Sequence, residues 1–228
     1  MKLLEHNLVE GTFIEESKNR FIGKVLVDGV IQECYISSSS RLESLINLKG
    51  KRVLLSTNHR KDCRTKYSLY SVFYRNKQIL LNLNIVNELF GKIVEAGQYK
   101  EYFEYSSILR ETTIQGYKAD LFIEGKEKII IENKAIISVR KTASFPTIHS
   151  ERAIIQLRKL NAMLADGYRV FYNIIALSPF VREVEINCNE IEYYNSFVQC
   201  INNGMCINGY KLYYDNNSLK SKRIRIHI

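Results

Sequence analysis

Apolar residues recur with two different periods along this chain. Up to about residue 83 they alternate with polar ones. "NRFIGKVLVDG" sets Phe21, Gly23, Val25 and Val27 against Arg20, Ile22, Lys24 and Leu26 and then reaches Asp28-Gly29, a hairpin signal. "VIQECYIS" returns, and "KRVLLST", "YSLYSVFYR" and "QILLNL" follow as further short strands. About five strands in so short a stretch predict a small barrel or sandwich.

The period changes at Asn84. In "NIVNELFGKIVEAG", Ile85, Val86, Leu89, Phe90, Ile93 and Val94 fall at helical spacing, with Gly97 placed to end the helix. "SSILRETTIQ" and the pair of runs in "GYKADLFIEGKEKIIIENKAIISVR" read as strands. "SERAIIQLRKLNAMLADG" is a helix with Ser150 as N-cap, an apolar stripe of Ala153, Ile154, Leu157, Leu160 and Leu164, and Gly167 closing it. "YRVFYNIIAL" is a buried strand, "EIEYYNSFVQCINNG" another helix, and "YKLYY" a last short strand. This order predicts an α/β unit with a mixed sheet and helices on both faces. The division is residues 1–83 and 84–228, α+β overall.

The 228 residues are 46% hydrophobic, enough for a real core, and with 11 Gly and 2 Pro no stretch resembles a linker. "MKLLEHNLVEG" holds no apolar run fit for a signal peptide, and no stretch approaches the roughly 20 apolar residues of a membrane span, so the expectation is a cytoplasmic protein that does not engage membranes. Five cysteines, an odd number without CxxC spacing, predict buried free thiols rather than disulfides or zinc. The net charge of +9 suits a polyanionic partner. Two basic clusters stand out, "KRVLLSTNHRKDCRTKY" (51–67) and "SLKSKRIRIHI" (218–228). The first interleaves with Tyr67, Tyr70, Phe73 and Tyr74. That pattern suits either a groove that tracks phosphates and stacks bases or a solvated strand face over core aromatics.

The chemistry is most concentrated in residues 116–140. A strand alternates its side chains, so Ile130, Glu132 and Lys134 share one face while Ile129, Ile131 and Asn133 share the other. The run "KIII" marks a central strand buried on both faces, which places the charges at its end in a cleft. Asp120 lies on the preceding strand and reaches the same rim if the two pair as a hairpin. Two nearby carboxylates repel unless a cation lies between them. Mg²⁺ accepts one or two carboxylates and completes its shell with water and phosphate oxygens. A lysine beside them holds a water or offsets charge in a phosphoryl transition state. The set suits metal-assisted phosphodiester hydrolysis, with Glu111 as a further ligand or base and with Arg152 and Gln156 on one helix face after the site strand. Alternating Glu and Lys is also common on the polar face of an ordinary strand.

Asp120 followed by Glu132-Asn133-Lys134, between a helix and an α-β unit, resembles the PD-(D/E)xK nuclease superfamily. More closely, "SFPTIHSERAIIQLRKL" (144–160) resembles the phrase F-P-D-A-x-T-x-R-G-x-x-H-L-x-x-L of the sugar fermentation stimulation protein family, SfsA. "LRETTIQGYKADLFIE", "IIIENKAIISV", "RFIGKVLVDGVIQECYISSSSRLESLI" and "TNHRKDCRTKYSLYSV" resemble its other blocks in the right order over nearly the whole chain. The resemblance implies an N-terminal OB-like barrel, a C-terminal nuclease-like α/β domain, binding to nucleic acid with DNA ahead of RNA, and nuclease activity with Mg²⁺ or Mn²⁺. By position, Asp120 and Glu132 would be metal ligands and Lys134 the catalytic lysine. Glu111 matches the upstream acid and Arg152 the helix arginine, and Gln156 stands where the family has His. The barrel would offer Lys51, Arg52, Arg60, Lys61, Arg64 and Lys66 to phosphates.

The chain departs from the family in several places. "YISSSS" (35–40) replaces the Pro-Asn-x-Gly that follows the family's Cys, so contacts made by that loop do not carry over. Thr147 stands for Asp, Ala153 for Gly, and Asn133 for the Val between Glu and Lys; the family's Trp is absent. The leading expectation is a DNA-binding protein of the SfsA type that hydrolyses phosphodiesters. Its alternative is a non-catalytic DNA-binding regulator of sugar-metabolism genes that keeps the nuclease fold as a scaffold.

Overall fold

The computed structural model describes residues 8–38, 41–59, 63–95, 97, 105–215 and 218–228. The first strands are β1 (Leu8–Glu16), β2 (Ile22–Val27), β3 (Val30–Tyr35), β4 (Arg52–Thr57), β5 (Tyr67–Tyr74) and β6 (Lys77–Leu80), arranged β3-β2-β1-β4-β5-β6. A short parallel pairing of β3 with β5, Cys34 to Tyr67 and Tyr35 to Ser68, closes β1–β5 into a barrel. Of the two shapes open to the sequence, the barrel is therefore the one adopted. Phe13, Val25, Val27, Val53, Leu55, Leu69 and Val72 fill it. Two of its hairpins turn on paired positive φ angles, 50° and 78° at Asp28-Gly29 and 48° and 58° at Arg75-Asn76, the type I′ geometry that matches strand twist.

The second sheet has eight strands in the order β10-β12-β14-β13-β11-β9-β8-β7. These are β7 (Tyr105–Ile114), β8 (Tyr117–Gly125), β9 (Lys128–Ile136), β10 (Thr142–Phe145), β11 (Arg169–Ala176), β12 (Glu183–Ile186), β13 (Cys206–Asp215) and β14 (Ser218–His227). Strands β9, β11 and β13 run parallel at its centre, and β7, β8 and β14 pair antiparallel beside them. Helices α2 (Glu151–Ala165) and α3 (Ile191–Asn202) cover one face. Helix α1 (Ile85–Glu95) and the barrel cover the other. Alternation decides which residue faces which layer: Ile130 packs under α2, while Ile129 and Ile131 pack toward α1.

Helix α2 begins where the sequence places its cap, Ser150 Oγ accepting from Ala153 N at 3.3 Å, and Gly167 follows its end at φ 84°. Its buried stripe is Ile154, Leu157, Leu160 and Met163; Ala153 and Leu164, which the spacing places in the stripe, are only partly buried, each one position off it. The chain does not end on a short strand at "YKLYY". Strands β13 and β14 each run for ten residues, and the basic "KRIRIHI" lies inside the sheet between β12 and β13. Backbone pairing holds β14 there, so its charged side chains stay in water and leave no apolar period to read. All five cysteines are free, but only Cys34 and Cys200 are buried; Cys63, Cys188 and Cys206 are exposed.

The barrel and the sheet share one core, which runs from Phe13 and Val72 through Val86 and Leu89 to Ile131, Phe171 and Leu212. Leu80 N donates to Leu177 O at 3.0 Å, and the Tyr70 and Tyr214 hydroxyls meet at 2.6 Å across the junction. Among the described residues no helix is long and apolar enough to cross a membrane. The closest approach in the sheet is at Gly209, where a Cβ would lie 2.6 Å from the Ile224 carbonyl oxygen on β14. Gly209→Ala is therefore expected to push β13 and β14 apart and to cost about 1–3 kcal/mol, seen as a lower urea midpoint at unchanged slope. An unchanged midpoint would show that this contact does not limit the sheet.

Candidate active site

Strand β9 delivers Glu132 and Lys134 to the α2 side of the sheet at the point where its pairing with β8 stops; the charges stand within the strand rather than at its end, since it runs on beside β11 to a buried Ile136. Glu132 is only 2% exposed. A buried carboxylate survives only with donors on its oxygens. The Tyr117 hydroxyl, from the start of β8, donates to Oε2 at 2.5 Å, and Lys134 Nζ donates to Oε1 at 2.6 Å. Lys134 also donates to Gln156 Oε1 on α2 at 2.8 Å. Close by, the Tyr172 and Tyr193 hydroxyls meet at 3.1 Å. Burial above all, and then the charge of Glu132, raises the Tyr117 phenol so that it stays a neutral donor.

Asp120 reaches the same rim from β8. Its Oδ2 accepts from the Asn133 backbone N at 2.7 Å and its Oδ1 from Asn87 Nδ2 of α1 at 2.8 Å. Burial, and next the negative charge of Glu132, pushes its carboxyl up to about 6, against the Asn133 amide, Lys134 and Asn87, which favour the charged form. Asn133, the polar residue at the family's Val position, is not an orphan. Its Nδ2 donates to Asn87 Oδ1 at 3.2 Å, and its Oδ1 accepts from Asn173 Nδ2 at 3.0 Å. Asn173 in turn accepts from Asn208 Nδ2 at 3.1 Å. Four amides on α1, β9, β11 and β13 thus form one chain whose donors all point toward Asp120.

This donor set fits a hard cation. Both carboxylates offer oxygen, each oxygen keeps a lone pair beyond its protein donor, and the mutual repulsion seen at Asp120 is what a cation relieves. Among the described residues no group of three or more His, Cys, Asp or Glu side chains is placed to hold a metal, so water or phosphate would fill the rest of the shell. Glu111 interrupts the β7–β8 ladder between Arg110 and Thr112, at φ 49°, and its exposed carboxylate turns to Lys118 at 2.8 Å rather than to Glu132 or Lys134. Arg152 is exposed on α2, one turn before Gln156.

The barrel splits the first basic cluster. Lys51 and Arg52 lie at one end of the β4–β5 ladder, over the half-buried rings of Tyr74 (5.3 Å) and Phe73 (4.2 Å). Arg52 also pairs with Glu10 at 2.9 Å. Arg64 and Lys66 are exposed at the other end, and Lys66 lies 5.1 Å from the Tyr67 ring. Tyr67 and Tyr70 are core residues, so two of the four interleaved rings serve packing. Arg60 and Lys61 lie outside the described residues.

Residues 16–81 match the family model described as the SfsA N-terminal OB domain, and residues 84–218 match the one described as the sugar fermentation stimulation protein RE domain. The chain belongs to the SfsA family. A sugar fermentation stimulation protein homolog of Desulfitobacterium hafniense is 30% identical over 167 residues, 72% of this chain and 71% of that one. Its counterpart in Methanobrevibacter smithii is 25% identical over 225 residues, 93% and 92% of the two chains. The structure of Pyrococcus furiosus SfsA superposes with a TM-score of 0.87 over the full length of both chains at 21% identity, which shows the shared fold.

Within this SfsA frame, sequence reading named Asp120, Glu132, Lys134 and Gln156, and the structure brings these four together. It missed Tyr117 and Asn87. Tyr117 lay in the strand already read, but nothing local shows that its hydroxyl turns inward. Asn87 lies on the helix face between apolar positions, where a polar residue at a buried spacing was the available signal.

The folded-state pKa of Asp120 lies above its usual value near 4, so its contribution to stability is complete below about pH 4 and is lost as pH rises through about 6. In urea unfolding without divalent ions, Asp120→Asn is expected to gain on wild type across that window, by up to about 3 kcal/mol at pH 7. A difference that stays flat from pH 4 to 7 would contradict the raised pKa.

Proposed function

We propose that this SfsA-family chain binds nucleic acid, DNA in the first instance, and hydrolyses its phosphodiester bonds with Mg²⁺ or Mn²⁺ at Asp120 and Glu132. The observation that carries the reading is that Asp120, bonded to the Asn133 amide at 2.7 Å, and Glu132, with Lys134 Nζ 2.6 Å away, stand at one rim. The Pyrococcus furiosus SfsA structure is a complex with Ca²⁺, a hard cation of the class these oxygens suit. Asp120 and Glu132 would hold such a cation, and the chemistry it would supply there is polarisation of a phosphoryl oxygen and acidification of a water.

The protein's own residues do the rest. Asp120 is aimed by Asn87 and the Asn133 backbone, and Glu132 by Tyr117. Lys134 has three donors; Glu132 and Gln156 take two and leave one for a water or a phosphate oxygen. Its charge offsets that of the phosphorane-like transition state. Gln156 accepts from Lys134 and so fixes where the ammonium sits. The basic barrel residues Arg64 and Lys66, together with Arg152, supply phosphate contacts whose strength falls with salt.

A second reading, the non-catalytic DNA-binding regulator, is favoured by one observation: all four carboxylate oxygens of Asp120 and Glu132 already have a protein donor. Metal titrations separate the two. With labelled single- and double-stranded substrates at low salt, wild type should cleave only with Mg²⁺ or Mn²⁺. Asp120→Ala should abolish turnover, and Lys134→Ala should slow it by about 10²–10³ while binding survives. The same ions should raise the Tm of wild type and not of Asp120→Ala. Salt-sensitive binding with neither cleavage nor a metal-dependent Tm shift would establish the regulator instead.

A further inference from the structure

The barrel carries a groove of about 800 Å³, within the range of roughly 300–1,000 Å³ typical of ligand clefts. It is bounded by the β1–β2 connection, by β3 and by the segment that follows β4. Phe21 is 39% exposed there, although it is a large apolar side chain. Its ring lies nearly parallel to Tyr35, 16° between planes and 6.5 Å between centroids, with the Arg20 guanidinium 4.8 Å from its centre. His59, Arg64 and Asn84 line the same groove, and none of their side chains has a hydrogen-bond or ion-pair partner among the described residues.

The groove also adjoins the candidate active site. Asn84 immediately precedes α1, and Asn87, three residues on and about 5 Å along the axis, donates to Asp120. The replaced loop holds this junction in place. Ser37 Oγ donates to Asn82 Oδ1 at 2.9 Å and accepts from Leu83 N at 2.9 Å.

We infer that this groove binds unpaired bases of a single-stranded nucleic acid, stacked on the Phe21–Tyr35 rings, with Arg64 on the backbone and the adjoining strand led toward Asp120 and Glu132. The inference rests on the nucleic-acid reading above and adds the strandedness that the reading leaves open. A base inside a duplex hides its faces by stacking on its neighbours, whereas a free base presents a π-face to any exposed ring.

The test is anisotropy with a labelled dT15, an abasic strand of the same length, and a duplex. Wild type should bind dT15 roughly tenfold more tightly than the abasic strand, which has the same phosphates. Phe21→Ala should erase that difference while leaving abasic and duplex affinity and the salt slope unchanged; Arg64→Ala should instead lower the slope for every strand by about one. Phe21→Leu keeps the apolar contacts without the aromatic face and should match Phe21→Ala, which guards against a folding defect. Equal affinity of wild type for dT15 and the abasic strand, or an equal loss on all three probes in Phe21→Leu, would overturn the stacking site. Intact binding to all three would in that case leave the nucleic-acid reading standing, whereas failure to bind any probe would remove both.

Discussion

A carboxylate that is 2% exposed beneath an apolar sheet is the constraint around which the C-terminal half is arranged. Left without donors, a charge buried at Glu132 would cost more than a small domain's entire margin of stability. Its oxygens are satisfied from two directions, by Tyr117 at the start of β8 and by Lys134 two residues along its own strand. Lys134 is then placed by Gln156, which is placed by a helix whose start is fixed at Ser150. Moving any of these elements would unpair a buried charge. The pair therefore specifies position more than it adds stability, since a buried ion pair and an apolar replacement often balance in energy.

Asp120 is held by a different device on the opposite face. The amides of Asn208, Asn173, Asn133 and Asn87 donate in one direction and end on its carboxylate. Hydrogen bonds aligned head to tail in a low-dielectric interior polarise one another, so the last donor is stronger than an isolated amide. The chain can form because β9, β11 and β13 run parallel in register, Asn133 opposite Asn173 and Asn173 opposite Asn208. One sheet thus carries an ionic network above and an amide network below, and the two meet at the rim where the carboxylates feel each other's charge.

The sequence was most legible where a local period carried the information. The run "KIII" announces a strand buried on both faces, and alternation alone puts Glu132 and Lys134 on one side with Asn133 on the other. The hairpin at Asp28-Gly29 and the cap at Ser150 are short-range chemistry of the same kind. What stayed hidden depends on pairing between distant segments. Tyr117 matters because β8 lies against β9; the role of Asn133 needs three further strands and helices; β14 is held by its backbone while its side chains read as a solvated tail. The Arg75-Asn76 turn shows a further limit, since Arg in a left-handed conformation is no turn signal. The basic cluster at 51–67 looked continuous only because the strand β4, which separates its two ends, is invisible in a count of charges.

Barrel and sheet meet through a common apolar core, a backbone hydrogen bond from Leu80 to Leu177 and the Tyr70–Tyr214 contact. A junction of this kind resists the independent motion that small polar domain interfaces permit. Helix α1 is the shared part: Asn84, immediately before it, lines the groove and its Asn87 holds Asp120. If the proposed reaction runs there, such a junction would let binding energy gained away from the reacting bond serve the reaction itself. Under the phosphodiesterase proposal the stability of that junction would be part of the site's chemistry, because slack between barrel and sheet would appear at the rim as misplaced phosphate.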